Sequence, residues 1–235
     1  MKKRKPVHKM LAFLLSVTML PVVFPLKNAQ AAAGTLMTVD FEDYEVGVIN
    51  EATDTTGIHV AAKLDRMYPN QYKFYNRGIS GHKVTDLIGR WKRDCIKLKP
   101  DYISILIGVN DVWHEVGNND GTDNDVFEQV YDILLGITKK YLPDVKIFLM
   151  EPFFLKDAYN PELKEAFAEG VAEKREIVKK LAAKYGLKTI PLQEIFEDEM
   201  KSADEFWWTA EGVHPTNAGH QVIADAWVEL FEEIK

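Results

Sequence analysis

The chemistry of this chain centres on His214, which stands in Glu211-Gly212-Val213-His214-Pro215-Thr216 with a carboxylate three residues before the imidazole. A tight turn over that spacing lets Glu211 orient the ring and stabilise its protonated form, as a general base requires. Two further polar segments offer hydrogen-bond donors. Asn110 lies in Gly108-Val109-Asn110-Asp111, and Gly81 closes Asn76-Arg77-Gly78-Ile79-Ser80-Gly81. A side-chain amide and a glycine N–H both suit a developing oxyanion, although an Asn-Asp pair also suits a plain turn. A base, its acidic partner and two oxyanion donors make up most of an acyl-transfer site, and the nucleophile is the part still to be found.

These segments are placed by strands. Tyr102, Ile103, Ile105, Leu106 and Ile107 form a nearly continuous apolar run, the pattern of a strand buried on both faces of a parallel sheet, and it ends at Gly108-Val109-Asn110-Asp111. Gly34 to Phe41, Tyr72 to Tyr75, Val145 to Met150 and Leu187 to Ile190 are the other expected strands. Helices are expected over Gly57–Tyr68, from Val84 to Ile96, over Asp125–Tyr141, Pro161–Tyr185 and Leu192–Met200, and from a Thr216 cap to Lys235. His114 to Asn124 is expected as a polar surface loop. Strands alternating with helices predict a three-layer α/β/α sandwich around a parallel, doubly wound, flavodoxin-like sheet of about five strands. In such sheets ligands bind beyond the carboxyl ends of the strands, where the three polar segments fall.

The chain has 235 residues, 46% of them apolar and 28% charged, ordinary for one globular α/β domain. Residues 1–31 read differently: a basic start, an apolar stretch from Met10 to Leu26 broken by Pro21 and Pro25, then Ala29-Gln30-Ala31. This is the pattern of a secretory signal peptide and not of a stable membrane anchor. Its removal takes away six basic and no acidic side chains, so the formal charge of −7 becomes −13. A surface that acidic repels phosphate backbones, which argues against nucleic acid as a partner. Cys95 is the single cysteine, expected as a buried, inert thiol. No metal-ligand cluster or phosphate-binding glycine motif stands at the required spacing, so no cofactor is expected. Nothing in the sequence sets an oligomeric state.

From about Ala61 onward the chain resembles the SGNH hydrolase superfamily, the GDSL-type esterases. Asn76 to Gly81 is similar to the family's Gly block, Gly108 to Asp111 to its Asn block, and Glu211 to His220 to its His block. The resemblance implies Gly81 and Asn110 as oxyanion-hole residues and His214 as base, with Glu211 where the family usually carries Asp. It implies a small-molecule or carbohydrate ester as substrate. The family's first block, Gly-Asp-Ser with the nucleophilic serine, occurs nowhere in this chain. Spacing back from the following helix puts Val39-Asp40-Phe41 in its place, and Phe41 cannot act as a nucleophile.

After residue 31 the serines are Ser80, in the Gly-block loop, Ser104, mid-strand, and Ser202, at a helix end. Thr55 lies too close to Ala61 for the missing block. Asp40, Glu42 and Asp43 are able to activate a water, but an acidic run beside a strand also reads as a solvated edge. Residues 32–56 form a divergent segment in which Thr38 to Gly47 resembles the opening strand of carbohydrate-associated β-sandwich modules, as if a fusion or deletion had replaced the first strand of a hydrolase domain spanning 57–235. The resemblance and the export pattern together imply an exported SGNH-type esterase, such as a carbohydrate acetyl esterase, impaired at its nucleophile. The alternative is a non-catalytic sugar-binding domain in which Trp113, Trp207 or Trp208 stacks on sugar rings, each of these residues being equally suited to the core.

Overall fold

Tyr102–Leu106 forms the middle strand of a five-stranded parallel sheet in the computed structural model, which describes residues 34–39, 56–155 and 163–235. The elements run β1 (Gly34–Val39), α1 (Thr56–Met67), β2 (Tyr72–Asn76), α2 (Val84–Trp91), β3 (Tyr102–Leu106), α3 (Val109–Asn118), α4 (Asn124–Tyr141), β4 (Lys146–Met150), α5 (Lys164–Tyr185), β5 (Lys188–Ile190), α6 (Leu192–Glu199), α7 (Glu205–Trp208) and α8 (Asn217–Ile234). The order across the sheet is β2-β1-β3-β4-β5, so the winding reverses between β1 and β3. That is the flavodoxin-like order, with its switch point at the β1/β3 boundary. The register sets Thr38 beside Asn76 on one side and Ser104 on the other, which brings the carboxyl ends of β1, β2 and β3 together.

Alternate residues of β3 and β4 face opposite helical layers, as the two-residue period of a strand requires. Ile103, Ile105 and Leu149 pack with Leu87 and Trp91 of α2, Phe127 and Tyr131 of α4 and Val178 of α5. Leu106, Phe148 and Met150 pack with Val60 and Leu64 of α1, Phe196 of α6 and Trp227 and Phe231 of α8. Ser104 points into this second layer, where its hydroxyl accepts a hydrogen bond of 2.9 Å from the Trp227 indole. Its buried hydroxyl therefore serves the core.

Several boundaries depart from the sequence expectations. Residues 114–118 continue α3, because Val109, Val112, Trp113 and Val116 supply an apolar face at helical spacing. The helix stops at Asn119, whose left-handed φ of 55° lets its N–H return to the Glu115 carbonyl at 3.0 Å. The expected helix from Val84 to Ile96 is α-helical only to Trp91, and Lys92–Ile96 is a π-helical turn. The short α7 was not expected. Thr216 caps α8 as foreseen, its hydroxyl accepting from the Gly219 N–H at 3.3 Å. Residues 1–31 and the expected Pro161 helix start lie outside the described residues, as do Asp40, Phe41, Glu42, Asp43 and Thr55.

Candidate active site

The loop between α7 and α8 presents His214. Glu211 folds back on it, with its carboxylate against ring Nδ1 and Oε1 also accepting from the His214 backbone N–H at 3.2 Å. The turn is held from several sides: Ala210 N–H donates to His214 O at 2.9 Å, Gly212 N–H to the Thr209 hydroxyl at 3.1 Å, and Leu155 N–H to Gly212 O at 2.9 Å. Gly212 has φ of 95°, and a Cβ there would lie 2.4 Å from the Leu155 carbonyl oxygen. A side chain at this position is strained both by its backbone conformation and by collision. Gly212→Ala is expected to cost about 1–3 kcal/mol, lowering Tm by about 2–4 °C per kcal/mol, whereas Gly117→Ala, with open space around it in α3, should leave Tm unchanged or raise it. Parallel thermal melts check both.

Gly81 and Asn110 meet across the switch point. The first turns of α3 clamp the loop after β2 at three points. Asn110 Nδ2 donates to His82 O at 3.3 Å, both Asp111 carboxylate oxygens accept from the Val84 N–H at 3.2 Å, and His114 Nε2 lies 3.1 Å from Gly81 O. Asp111 is fully buried. Burial pushes its pKa up, against the opposing influence of the Val84 N–H and the positive charge of Lys174. Lys174 is itself buried, and that lowers its own pKa. Its ammonium donates to Thr122 O at 2.5 Å and Asn124 Oδ1 at 2.7 Å.

Gly81, Asn110 and His214 line one cavity of about 250 Å³. Ser80 also lines it, and so does Thr56, the first residue of α1. Leu106, Phe153 and Ile223 add apolar wall. Trp113 lines it as well, edge-on to Phe167 and to the His214 ring at centroid distances of 5.6 and 6.2 Å. Trp208 is buried in the core, whereas Trp207 and Phe206 are 63% and 60% exposed. Ser202 is exposed, its hydroxyl donating to Glu199 O at the end of α6. Cys95 is buried and its thiol pKa is pushed up to about 12 by desolvation, which keeps it unreactive. No group of three or more His, Cys, Asp or Glu side chains suited to a metal occurs among the described residues. No described helix is long and apolar enough to cross a membrane.

Sequence reasoning placed Asp111 beside Asn110 past the central strand without giving it a role, and passed over His114, Thr56 and the pairing of Thr56 with His220. Asp111 and His114 were legible as polar residues three apart in the first turns of α3, His114 also lying one helical turn beyond Asn110. Thr56 and His220 face each other over a separation of 164 residues, for which the sequence carries no local signal.

The fold and this arrangement define a class. The chain belongs to the GDSL-like lipase/acylhydrolase family of the SGNH hydrolase superfamily, whose sequence model matches residues 42–222. The match begins after β1, which lies outside it. An acetylxylan esterase from Geobacillus stearothermophilus is 30% identical over 173 residues, covering 72% of this chain and 77% of that protein. The crystal structure of a protein from Parabacteroides merdae, described as a GDSL-like lipase, superposes with a TM-score of 0.74 at 32% identity over 86% of this chain and 96% of its own. The crystal structure of the Geobacillus acetylxylan esterase gives 0.70 at 26% identity over 83% and 93%. Catalytic mutants of that esterase carry alanine in place of a serine and in place of an aspartate. The family and these relatives are ester hydrolases.

Proposed function

We propose that this protein binds acetyl esters of a carbohydrate and hydrolyses them slowly. The observation that carries this reading is the convergence of the Glu211–His214 pair with Gly81 and Asn110 on one cavity at the carboxyl ends of parallel strands. Glu211 holds the Nδ1 side of the imidazole, so Nε2 is the atom that takes a proton. The Gly81 N–H and the Asn110 amide receive the oxyanion. Asn110 commits one N–H to His82 O, and a side-chain amide has a second to give. The family's serine has no counterpart at Val39-Asp40-Phe41, which accounts for slow turnover. A carbohydrate ester is supported by the name of the acetylxylan esterase relative and by the export pattern of residues 1–31.

Release of acetate from acetylated xylo-oligosaccharides by the purified chain tests the reading, and His214→Ala should abolish what release there is. Release unaffected by His214→Ala would overturn it. A second reading, sugar binding without turnover, is favoured by the exposure of Phe206 and Trp207 on α7, immediately before the His214 loop. In that case Trp207→Ala weakens retention on acetylated xylan while no acetate appears. For export, mass spectrometry of protein recovered from a culture medium is expected to find the N-terminus at Ala32, and an intact Met1 on cytoplasmic material would refute it.

A further inference from the structure

Two hydroxyl-bearing side chains of the described residues line the cavity, Ser80 and Thr56. Only Thr56 is hydrogen-bonded to a histidine: its Oγ1 lies 2.9 Å from Nδ1 of His220. Thr56 is nearly buried and His220 is fully buried, so the pair is shielded from bulk water, while Thr56 itself forms part of the cavity wall. His220 is fixed from behind. Its ring stacks on His59 at 5.9 Å, and His59 Nδ1 lies 3.4 Å from Gln221 Oε1. A hydroxyl is a weak nucleophile at its own pKa and is activated by an adjacent base that is oriented by a third group. The position of Thr56 as first residue of the 12-residue helix α1 also sets it at the positive end of the helix dipole, which favours a developing alkoxide.

We infer that Thr56, with His220 as its base, is the nucleophile this protein uses in place of the absent serine. The inference rests on reading the cavity as an acyl-binding site. In the first half-reaction the Thr56 oxygen attacks the ester carbonyl carbon while its proton passes to His220 Nδ1. The oxyanion is held by Gly81 and Asn110, and the C–O bond to the alcohol breaks. The alcohol leaves with the proton from His220, and an acyl ester remains on Thr56. In the second half-reaction His214 removes a proton from water, the hydroxide attacks the acyl carbon, and the Thr56 oxygen leaves and recovers a proton from His214. The products are one carboxylic acid and one alcohol per ester and water consumed. The β-branched threonine hydroxyl is more hindered than a serine hydroxyl, and a slow enzyme is the expected result.

The test uses the full chain with 4-nitrophenyl acetate, acid quenching and peptide mass mapping, beside rates of nitrophenolate release. The expected result is an acetyl group on Thr56, absent from Thr56→Val. Thr56→Ser keeps the hydroxyl and its hydrogen bond while removing the hindering methyl, and should release nitrophenolate about ten-fold faster. A purely structural threonine would give no such gain. His220→Asn retains a polar partner for Thr56 but no base, and is expected to lose the adduct with Tm little changed. An acetyl group on another residue, or a wild-type rate in Thr56→Val, would overturn the inference. If that rate still depends on His214, the reading of the cavity survives with water as the attacking group; if it depends on neither, both fail.

Discussion

Against an activated acetyl ester, this protein is expected to turn over on the order of 10⁶-fold more slowly than an intact serine triad, yet roughly 10³- to 10⁴-fold faster than water alone. The first figure is the loss that removal of a triad serine produces, for which a hindered threonine at Thr56 substitutes only feebly, and the second is what an oxyanion hole and binding retain. The positions of Gly81, Asn110 and His214 on one cavity support the second figure. A serine-directed organophosphate should leave no adduct on Ser80, Ser104 or Ser202. Ser104 is buried and bonded to Trp227, Ser202 belongs to the end of α6, and Ser80 makes no hydrogen bond to a histidine among the described residues. Val39→Gly together with Phe41→Ser rebuilds Gly-Asp-Ser starting at the last residue of β1 and is expected to raise turnover by about 10² or more, short of a native triad because a small misplacement of the nucleophile is itself costly. Stopped-flow release of nitrophenolate from both proteins measures the pair of effects. Ordinary esterase rates with a covalent adduct on Ser80 in the unaltered chain would refute this account of the nucleophile.

Lys174→Met should be among the more damaging single substitutions for stability outside the aromatic core, at about 1–3 kcal/mol, because it leaves buried acceptors without their donor and takes a positive charge away from the buried Asp111 carboxyl. Asp111 is fully buried, and Lys174 is the cation whose charge favours its ionised form. The acceptors left without their donor are Thr122 O and Asn124 Oδ1. The pH dependence has a definite sign. Burial raises the folded-state pKa of Asp111 above its unfolded value, and loss of Lys174 raises it further. Stability is then retained below the unfolded pKa and lost as pH rises through the raised folded one. The Asp111 part of the deficit relative to wild type should therefore grow as pH rises through the raised folded-state pKa and shrink on acidification below it. Urea unfolding at a series of pH values measures it. Because Asp111 ties the Gly81 loop to α3 through Val84, the same substitution should also loosen that loop where it borders the cavity.

Much of this architecture was legible because it is local. The β-branched run of β3, the helical spacing of Val84, Leu87 and Trp91, and the Thr216 cap each encode an element within a few residues, and the polar segments that follow β2 and β3 must lie at the strands' carboxyl ends once the sheet is parallel. The failures are also physical. The end of α3 carries Glu115, Asn118 and Asn119 on its solvent face, so composition suggested a loop while Val112, Trp113 and Val116 were setting a helix. The π-helical turn at Lys92–Ile96 has no distinct side-chain signature. Lys174 reads as one cation among many on a charged helix, and only the packing of α5 against α3 and α4 shows it to be buried with its ammonium on Thr122 O and Asn124 Oδ1. The Thr56–His220 contact joins the first helix to the last, a pairing set by the sheet's winding and not by either segment alone.

β1 lies between β2 and β3 and exchanges main-chain hydrogen bonds with both, although the family match begins only at residue 42. Backbone pairing recognises peptide groups more than side chains, so a strand's place in a sheet depends little on its own sequence. A polypeptide starting downstream of Val39 would leave a slot with two facing unpaired edges in the middle of the sheet, prone to capture other strands. The same slot would accept a separate peptide of the sequence Gly34–Val39, so the hydrolase body and its missing strand are formally a receptor and its ligand joined by a tether.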